Sequence, residues 1–318
     1  MYDGSMRILC DMKVNRKMET PRLVAIETTN RCNARCSFCP NNALQRGRET
    51  MDGELFEKIV TDCAEFELPA IEPFLQGEPF VDKHIFERLE LLRSRLPLTK
   101  LRLYSNGAAL VPSKVDQLRD FGVDHLYISL NTIVPERYGR IVGLPYERTM
   151  ENLRYLTDRK AGKVARSISV RLTVTEETTW MEKLRFLELC RKLGVRPMLV
   201  GLFNYKGDIH SDLPVPGFPC EHISRLDILV DGRTTLCCMD QEGEYGWGSI
   251  RDKSVLEVYN SEKARRVREL HRQGRRAEYE PCNRCNLFWS DLSGVPWPQR
   301  ALFWGQIVSY HLRYHPLI

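Results

Sequence analysis

Three cysteines, Cys32, Cys36 and Cys39, stand in a Cys-x3-Cys-x2-Cys array within Asn30-Arg31-Cys32-Asn33-Ala34-Arg35-Cys36-Ser37-Phe38-Cys39-Pro40. Thiolates on one short loop can hold three corners of a cubic iron–sulfur cluster and leave the fourth iron without a protein ligand. An open metal corner is what a catalytic centre needs, whereas a closed shell is structural. Zinc also takes thiolates, but its motifs usually pair cysteines and complete four ligands. A second group follows in the last third of the chain. Cys220 and Cys237 frame a Cys-x11-Gly-x4-Cys stretch around Gly232, and Cys282-Asn283-Arg284-Cys285 comes later. A hairpin with one cysteine at each end, joined by a Cys-x2-Cys turn, can enclose a metal centre with four thiolates. That centre could be zinc or a fully ligated [4Fe–4S] cluster.

The chain has 318 residues and eleven cysteines. An odd count in a reducing compartment argues against a disulfide framework and for metal or redox chemistry. Cys63 and Cys190 fall in helical patterns and read as small buried hydrophobes. Cys10 lies in an N-terminal extension and carries no signal. Cys238 is the spare thiol beside Cys237, and it reads as packing, as an alternative ligand or as a hydrogen-atom donor. Hydrophobic residues make up 42% and charged residues 28%, which excludes disordered, collagen-like and coiled-coil chains. No apolar run approaches the ~20 residues of a membrane span, and no signal peptide is visible, so the expected compartment is the cytoplasm. Net charge is +5 and spread along the chain. The densest basic run, 263–276, reads as the solvated face of a helix, so neither a nucleic-acid nor a membrane partner is expected.

These cysteines need a frame. From residue 23 to about 204, short apolar runs alternate with amphipathic stretches. The strands expected are LVAIETT (23–29), IEPFL (71–75), LRLYSNG (101–107), HLYISLN (125–131), SISVRLTVT (167–175) and VRPMLVGLF (195–203). Helical spacing occupies 53–66, 83–96, 111–122, 147–162 and 180–194 between them. Such alternation predicts an α/β fold with a parallel sheet and right-handed crossovers. Six units are fewer than a closed barrel's eight, so the expectation is a partial (β/α)6 TIM-like barrel, with functional groups at the carboxyl ends of its strands. A Gly/Pro-rich linker at 207–219 then leads to a β-hairpin turning at Asp231-Gly232 and a helix near 255–272. The expected division is an extension (1–22), the barrel (23–206), a small hairpin-plus-helix iron–sulfur domain (207–290) and a C-terminal helical tail (291–318) packed on the body. Glu27, Thr29, Tyr104, Arg171 and Asn204 are candidates to face the cavity, but the period-two pattern alone does not fix the strand register. Glu27 could be a base or a buried partner of an arginine.

With the cysteine loop at the end of strand one, the sequence resembles the radical S-adenosylmethionine (radical SAM) superfamily over roughly residues 23–203. Phe38 matches the aromatic that the family sets beside adenine. Gln76-Gly77-Glu78-Pro79 looks like the family's Gly-Gly-Glu-Pro segment for the SAM amino group, with Gln76 in place of the first glycine. Ser105 and Asn106 resemble the Thr-Asn-Gly segment near the cofactor. Ser129 and Asn131 resemble the ribose-contacting Ser-Leu-Asp, and Arg171 is the candidate for the SAM carboxylate. The resemblance implies that an open iron at Cys32, Cys36 and Cys39 chelates SAM. Reductive cleavage would then yield a 5′-deoxyadenosyl radical that takes a hydrogen atom from an unactivated C–H bond, with the electron coming from a flavodoxin- or ferredoxin-type donor. The second group resembles the auxiliary-cluster domain called SPASM in its shorter twitch form. This implies one further [4Fe–4S] cluster on Cys220, Cys237, Cys282 and Cys285. Twitch relatives oxidise or epimerise aminocyclitols and aminoglycosides, an implied role in antibiotic biosynthesis. Peptide-modifying relatives form the other large group and often carry an N-terminal recognition domain, for which the 22 residues ahead of strand one would be too few. The expected substrate is therefore a small, carbohydrate-like molecule, with a ribosomally made peptide as the alternative. A non-catalytic zinc module is the third reading.

Overall fold

The computed structural model describes residues 18–158, 162–211, 214–287 and 297–314. The expected strands form as β1 (Leu23–Ile26), β2 (Ala70–Glu72), β3 (Lys100–Ser105), β4 (Val123–Asn131), β5 (Ala165–Val174) and β6 (Arg196–Gly201). The hairpin contributes β7 (Arg225–Ile228) and β8 (Thr234–Thr235). All pairs from β6 to β1 are parallel, giving a partial barrel. The hairpin is not a separate layer. Its strand β7 pairs parallel to β1, with Ala25 opposite Asp227, so the sheet runs on to eight strands in the order β6-β5-β4-β3-β2-β1-β7-β8. Leu226 and Ile228 are fully buried in the same core as Val24 and Ile26, and this shared apolar face welds the hairpin to the barrel.

Alternation separates the two faces of the sheet. Val24, Ile26, Ile71, Leu103, Leu126, Ile128, Val170 and Leu172 point to the helices and pack with Phe56, Ile59, Leu89, Leu118, Leu153 and Phe186. The helices are α1 (Gly53–Ala64), α2 (Ile85–Arg95), α3 (Pro112–Leu118), α4 (Pro135–Val142), α5 (Tyr146–Thr157) and α6 (Trp180–Leu193). Register puts Glu72, Arg102, Tyr104, His125, Tyr127, Ser129, Ser169, Arg171, Arg225 and Asp227 on the opposite, inner face. That face is polar, with Phe74, Tyr104, Tyr127 and His125 in a continuous ring stack whose centroids are 4.9, 4.4 and 4.0 Å apart.

Two helices depart from expectation. Helix α4 lies in a stretch the apolar periodicity leaves unassigned; Pro135 starts it and Gly143, at φ +73°, ends it. The helix expected near 255–272 is two, α7 (Val255–Tyr259) and α8 (Glu262–Arg272). Ser261 accepts from the Ala264 N–H and starts α8 afresh. Helix α9 (Trp297–Tyr314) follows, and its buried Phe303 meets Phe218 edge-on at 4.8 Å. Among the described residues, no helix is long and apolar enough to cross a membrane.

Candidate functional site

The first cysteine loop leaves β1 and is fastened on two sides. The N–H groups of Arg35 and Ser37 donate to the carbonyls of Val142 and Ile141, 2.9 and 2.8 Å away. Helix α4 thus spends its orphan C-terminal carbonyls on the loop. On the other side, Arg46 grips Glu27 with two bonds of 2.5 and 2.6 Å, and Asn30 bonds to Gly47 and Glu49. Glu27 also accepts from the Val230 N–H at 2.9 Å, so it is the buried partner of an arginine. Thr29 is likewise engaged, donating to the Glu49 carbonyl.

Within the loop the Cys39 N–H donates to the Cys36 carbonyl, and the Ala34 N–H to Cys32 Sγ at 3.4 Å. Burial, reinforced by neighbouring cysteines, pushes Cys32 up to about 11 and Cys36 up to about 12, and burial raises Cys39 as well. Thiols crowded on one short loop suit a metal centre, whose positive charge favours the thiolate form.

The residues expected to contact SAM gather around this loop. Gly77 has φ +80°, and a Cβ there would lie 2.6 Å from the Arg31 carbonyl oxygen. Glu78 accepts from the Asn106 N–H at 2.7 Å, Ser105 Oγ at 2.9 Å and the Phe80 N–H at 3.2 Å. Burial nevertheless pushes its carboxyl up to about 7. Pro79 opens a short 3-10 turn. Asn106 Nδ2 bridges to Asn33 Oδ1 at 2.7 Å, and Phe38 is half-buried on the loop. Ser129 and Arg171 are register partners on β4 and β5. Asn131 takes φ +66° and accepts from Thr173 Oγ1. Arg171 Nε is buried without a partner among the described residues, and its charge acts on Cys36 and Cys39. An orphaned guanidinium N–H beside the thiols is the vacancy a carboxylate fills. The residues present therefore fit SAM on an open cluster.

Cys220, Cys237, Cys282 and Cys285 line one cavity, with His222 and Arg276 in its wall. Buried Arg276 holds the last two cysteines by donating to the carbonyls of Cys282, Cys285 and Leu287 at 3.1, 2.5 and 3.3 Å. His271 Nδ1 accepts from the Cys220 N–H at 3.1 Å. Asn204 and Asn286 lock the exit of β6 to the Cys282–Cys285 turn through reciprocal bonds of 2.8 and 3.2 Å, so Asn204 braces the thiols and does not face the barrel. Burial raises Cys220 and Cys237, and pushes Cys282 up to about 12. Among the described residues, no three His, Cys, Asp or Glu side chains converge closely enough for a single metal ion. Four thiols around one cavity are the ligand number of a fully ligated cluster or of a zinc ion.

Cys238 does not line this cavity, although it packs against the apolar cluster that holds Cys220 and Cys285. Its side chain packs against Leu23, Ala25, Ala70, Leu75 and Leu229, residues of the inner face. Its Sγ lies 3.6 Å from His222 Nδ1, and its carbonyl accepts from Gln76 Nε2 at 3.1 Å. Burial raises the thiol well above its ordinary range and lowers His222 to about 3, so both are neutral. Tyr205, at φ +46°, feels Cys36, Cys39, Arg171 and Cys238 together and marks the ground between the two cysteine groups. Sequence reasoning missed Arg46, Tyr205, His222 and Arg276. Only the Pro135 and Gly143 punctuation around α4 was there to be read.

Residues 26–181 match the Radical SAM superfamily, and residues 220–286 match SPASM, an iron–sulfur cluster-binding domain. A probable GTP 3′,8-cyclase of Methanosarcina acetivorans is 34% identical over 126 residues, 38% of this chain and 36% of that protein. The matches span 35% to 62% of the length of the curated relatives. Among solved structures, BtrN in complex with AdoMet and 2-DOIA aligns at TM-score 0.62 and 16% identity, covering 85% of this chain and 94% of that one. Streptococcus suis SuiB bound to precursor peptide SuiA aligns at 0.65 and 14%, covering 84% and 70%. These two likenesses are of fold.

Proposed function

Because this chain belongs to the radical SAM superfamily and carries a SPASM iron–sulfur domain behind the catalytic one, we propose that it oxidises or epimerises a carbohydrate- or aminocyclitol-like metabolite. A Radical SAM domain implies a [4Fe–4S] cluster and SAM, and a SPASM domain implies auxiliary iron–sulfur clusters. In this reading Cys32, Cys36 and Cys39 hold the first cluster, and Cys220, Cys237, Cys282 and Cys285 hold the second. When bound, cluster and SAM supply a 5′-deoxyadenosyl radical that takes a hydrogen atom from a substrate carbon. Residues 23–206 are the catalytic unit and 207–290 the auxiliary one, with a flavodoxin- or ferredoxin-type protein as electron donor.

The chain's own residues bind and orient. Glu78, poised near neutrality, takes the SAM amino group, whose positive charge restores the carboxylate. Arg171 Nε takes the carboxylate of SAM. Ser105, Asn106, Gly77 and Pro79 shape that pocket, Phe38 flanks the adenine, and Ser129 and Asn131 face the ribose. The inner face offers Glu72, Tyr127, His125 and Asp227, hydrogen-bonding groups suited to a polyhydroxylated ligand.

The observation that carries the proposal is Cys238, a thiol packed against the inner-face residues Leu23, Ala25 and Ala70 with its Sγ 3.6 Å from His222 Nδ1. A thiol there can return a hydrogen atom to a substrate radical, which inverts a carbon centre. Where the radical instead loses a proton and an electron, the product is oxidised. Modification of a peptide is a second reading, favoured by the fold shared with SuiB, which was solved with its precursor peptide.

The test is anaerobic reconstitution in heavy water with SAM, a one-electron reductant and two substrate panels, aminocyclitols and peptides. Release of 5′-deoxyadenosine with the aminocyclitols, and deuterium in the product that disappears in Cys238→Ala, is the expected result. Turnover with peptides alone would overturn the substrate class, and deuterium retained in Cys238→Ala would overturn the donor.

A further inference from the structure

The radical SAM segment that Gln76-Gly77-Glu78-Pro79 resembles begins with a glycine, which has no side chain to offer. Here that position is Gln76, only 7% exposed. Its Nε2 reaches across to the hairpin and donates to the Cys238 carbonyl at 3.1 Å. A buried amide spanning 162 residues of sequence is not required by the turn it belongs to.

The turn itself has no slack. At Gly77, φ +80°, a Cβ would sit 2.6 Å from the Arg31 carbonyl oxygen and 2.7 Å from that of Thr29. The Glu78 N–H donates to the Arg31 carbonyl at 2.9 Å. Residues 76–78 therefore ride on the backbone of the first cysteine loop. From that fixed point the Gln76 side chain sets where the Cys238 backbone lies, and His222 Nδ1, 3.6 Å from Sγ, sets where the thiol points. A cysteine that merely filled space would need neither.

We infer that Gln76 is a positioning residue: it holds the Cys238 thiol at hydrogen-transfer distance from the substrate radical, and so sets the ratio of epimerised to oxidised product. This rests on the donor role proposed above for Cys238. The step is R• + Cys238 S–H → R–H + Cys238 S•, in which the S–H bond breaks homolytically and a C–H bond forms. The thiyl returns to thiol with one proton from solvent and one electron from the low-potential donor that the reaction already uses. The competing fate of R• is loss of one proton to solvent and of one electron to the oxidised iron–sulfur cluster that the SPASM domain would hold. Transfer between the reacting atoms needs near-contact geometry, and a displacement of ~1 Å can cost on the order of a hundredfold in rate. Loss of the Gln76 tether is thus felt in the partition of R•, whatever it does to the radical's formation.

The experiment measures epimerised and oxidised product per 5′-deoxyadenosine released in heavy water, for the wild type, Gln76→Gly, Gln76→Glu and Cys238→Ala. Gln76→Glu keeps the length and removes the N–H. Both Gln76 variants are expected to lower the epimerised-to-oxidised ratio by about tenfold or more. A second readout needs no turnover: alkylation of Cys238 by iodoacetamide, followed by peptide mass spectrometry, is expected to quicken several-fold once the tether is gone. It applies to the metal-free chain too, so a variant that fails to load iron still decides the matter. Unchanged partition together with unchanged alkylation in both variants would overturn the inference. Wild-type partition in Cys238→Ala would instead sink the donor reading on which it rests.

Discussion

Cys237 and Cys238 are consecutive in sequence and both pack against the apolar cluster that holds Cys220 and Cys285, yet only Cys237 lines the cavity of the four cysteines. Cys237 lines the cavity shared with Cys220, Cys282 and Cys285, while Cys238 packs against Leu23, Ala25 and Leu229 on the inner face of the barrel. The end of the hairpin makes this divergence possible. The Asp240 N–H donates to the Cys237 carbonyl at 2.9 Å, and Asp240 Oδ2 accepts from the Leu236 N–H at 3.2 Å, so the chain turns tightly at these two residues.

That divergence predicts a clean split in metal content. Reconstituted wild type should hold about eight irons and eight sulfides per chain, as two [4Fe–4S] clusters require. Cys237→Ser is expected to fall to about four of each. Cys238→Ser is expected to keep the full complement and the same visible spectrum. Iron and acid-labile sulfide assays decide, and a loss of iron in Cys238→Ser would make it a ligand.

Arg171 is the next handle. Its Nε is buried with no partner among the described residues, and its charge acts on Cys36 and Cys39. A hydrogen bond to a charged group contributes ~1.5–3 kcal/mol, so Arg171→Ala should weaken SAM binding by roughly ten- to a hundredfold. Arg171→Lys should recover little, because an ammonium does not reproduce the geometry of the fork. Equilibrium dialysis with labelled SAM under anaerobic conditions measures both. Wild-type affinity in either variant would remove Arg171 from the carboxylate.

Glu78 should make the metal-free chain pH-sensitive. Burial raises its folded pKa to about 7, above the ordinary carboxylate range. An acid raised on folding contributes its stability fully below the unfolded value, and that contribution is lost as pH rises through the folded one. Glu78→Gln removes the ionisation, so the variant should gain on the wild type as pH rises from about 4.5 to about 7, by up to ~1.4 kcal/mol per pH unit, and should hold a constant lead above pH 7. The two should run parallel below about pH 4.5. Urea midpoints at pH 5, 7 and 8 check it, and parallel curves throughout would mean that Glu78 is not desolvated.

How much of this could be read from sequence depends on how local the cause is. The six barrel strands and five of the helices between them were legible, because each carries its own periodicity. So were the cysteines and the turn at Asp231-Gly232, which are matters of residue type and spacing. Helix α4 was not, since its eight residues are too few for a 3.6-residue repeat to stand out, and its carbonyls dock the cysteine loop. The pairing of β7 with β1 was also hidden, because strands 200 residues apart share no local signal. Buried polar braces such as Arg46 and Arg276 look like surface arginines in one dimension. Register decided that Glu72, Tyr104 and Arg171 face inward, and hydrogen bonds to Asn286 and Arg284 decided that Asn204 braces the second cysteine group.

Arg276 shows what such a brace is worth. It is 2% exposed and donates to the carbonyls of Cys282, Cys285 and Leu287, all within the turn that presents two thiols to the second cavity. Its positive charge also draws Cys220 and Cys282 toward the thiolate form, against burial. Arg276→Met would fill the space, strand three buried carbonyls at ~1–3 kcal/mol each if none finds another donor, and remove the nearby charge. The expected outcome is loss of the second cluster alone, leaving about four irons per chain and intact SAM binding. Arg276→Lys keeps the charge but cannot span three acceptors, so it should load the second site weakly and release it on brief chelation. Iron analysis before and after a chelator pulse separates the two effects. Retention of all the iron by Arg276→Met would show that the turn holds its shape without the guanidinium.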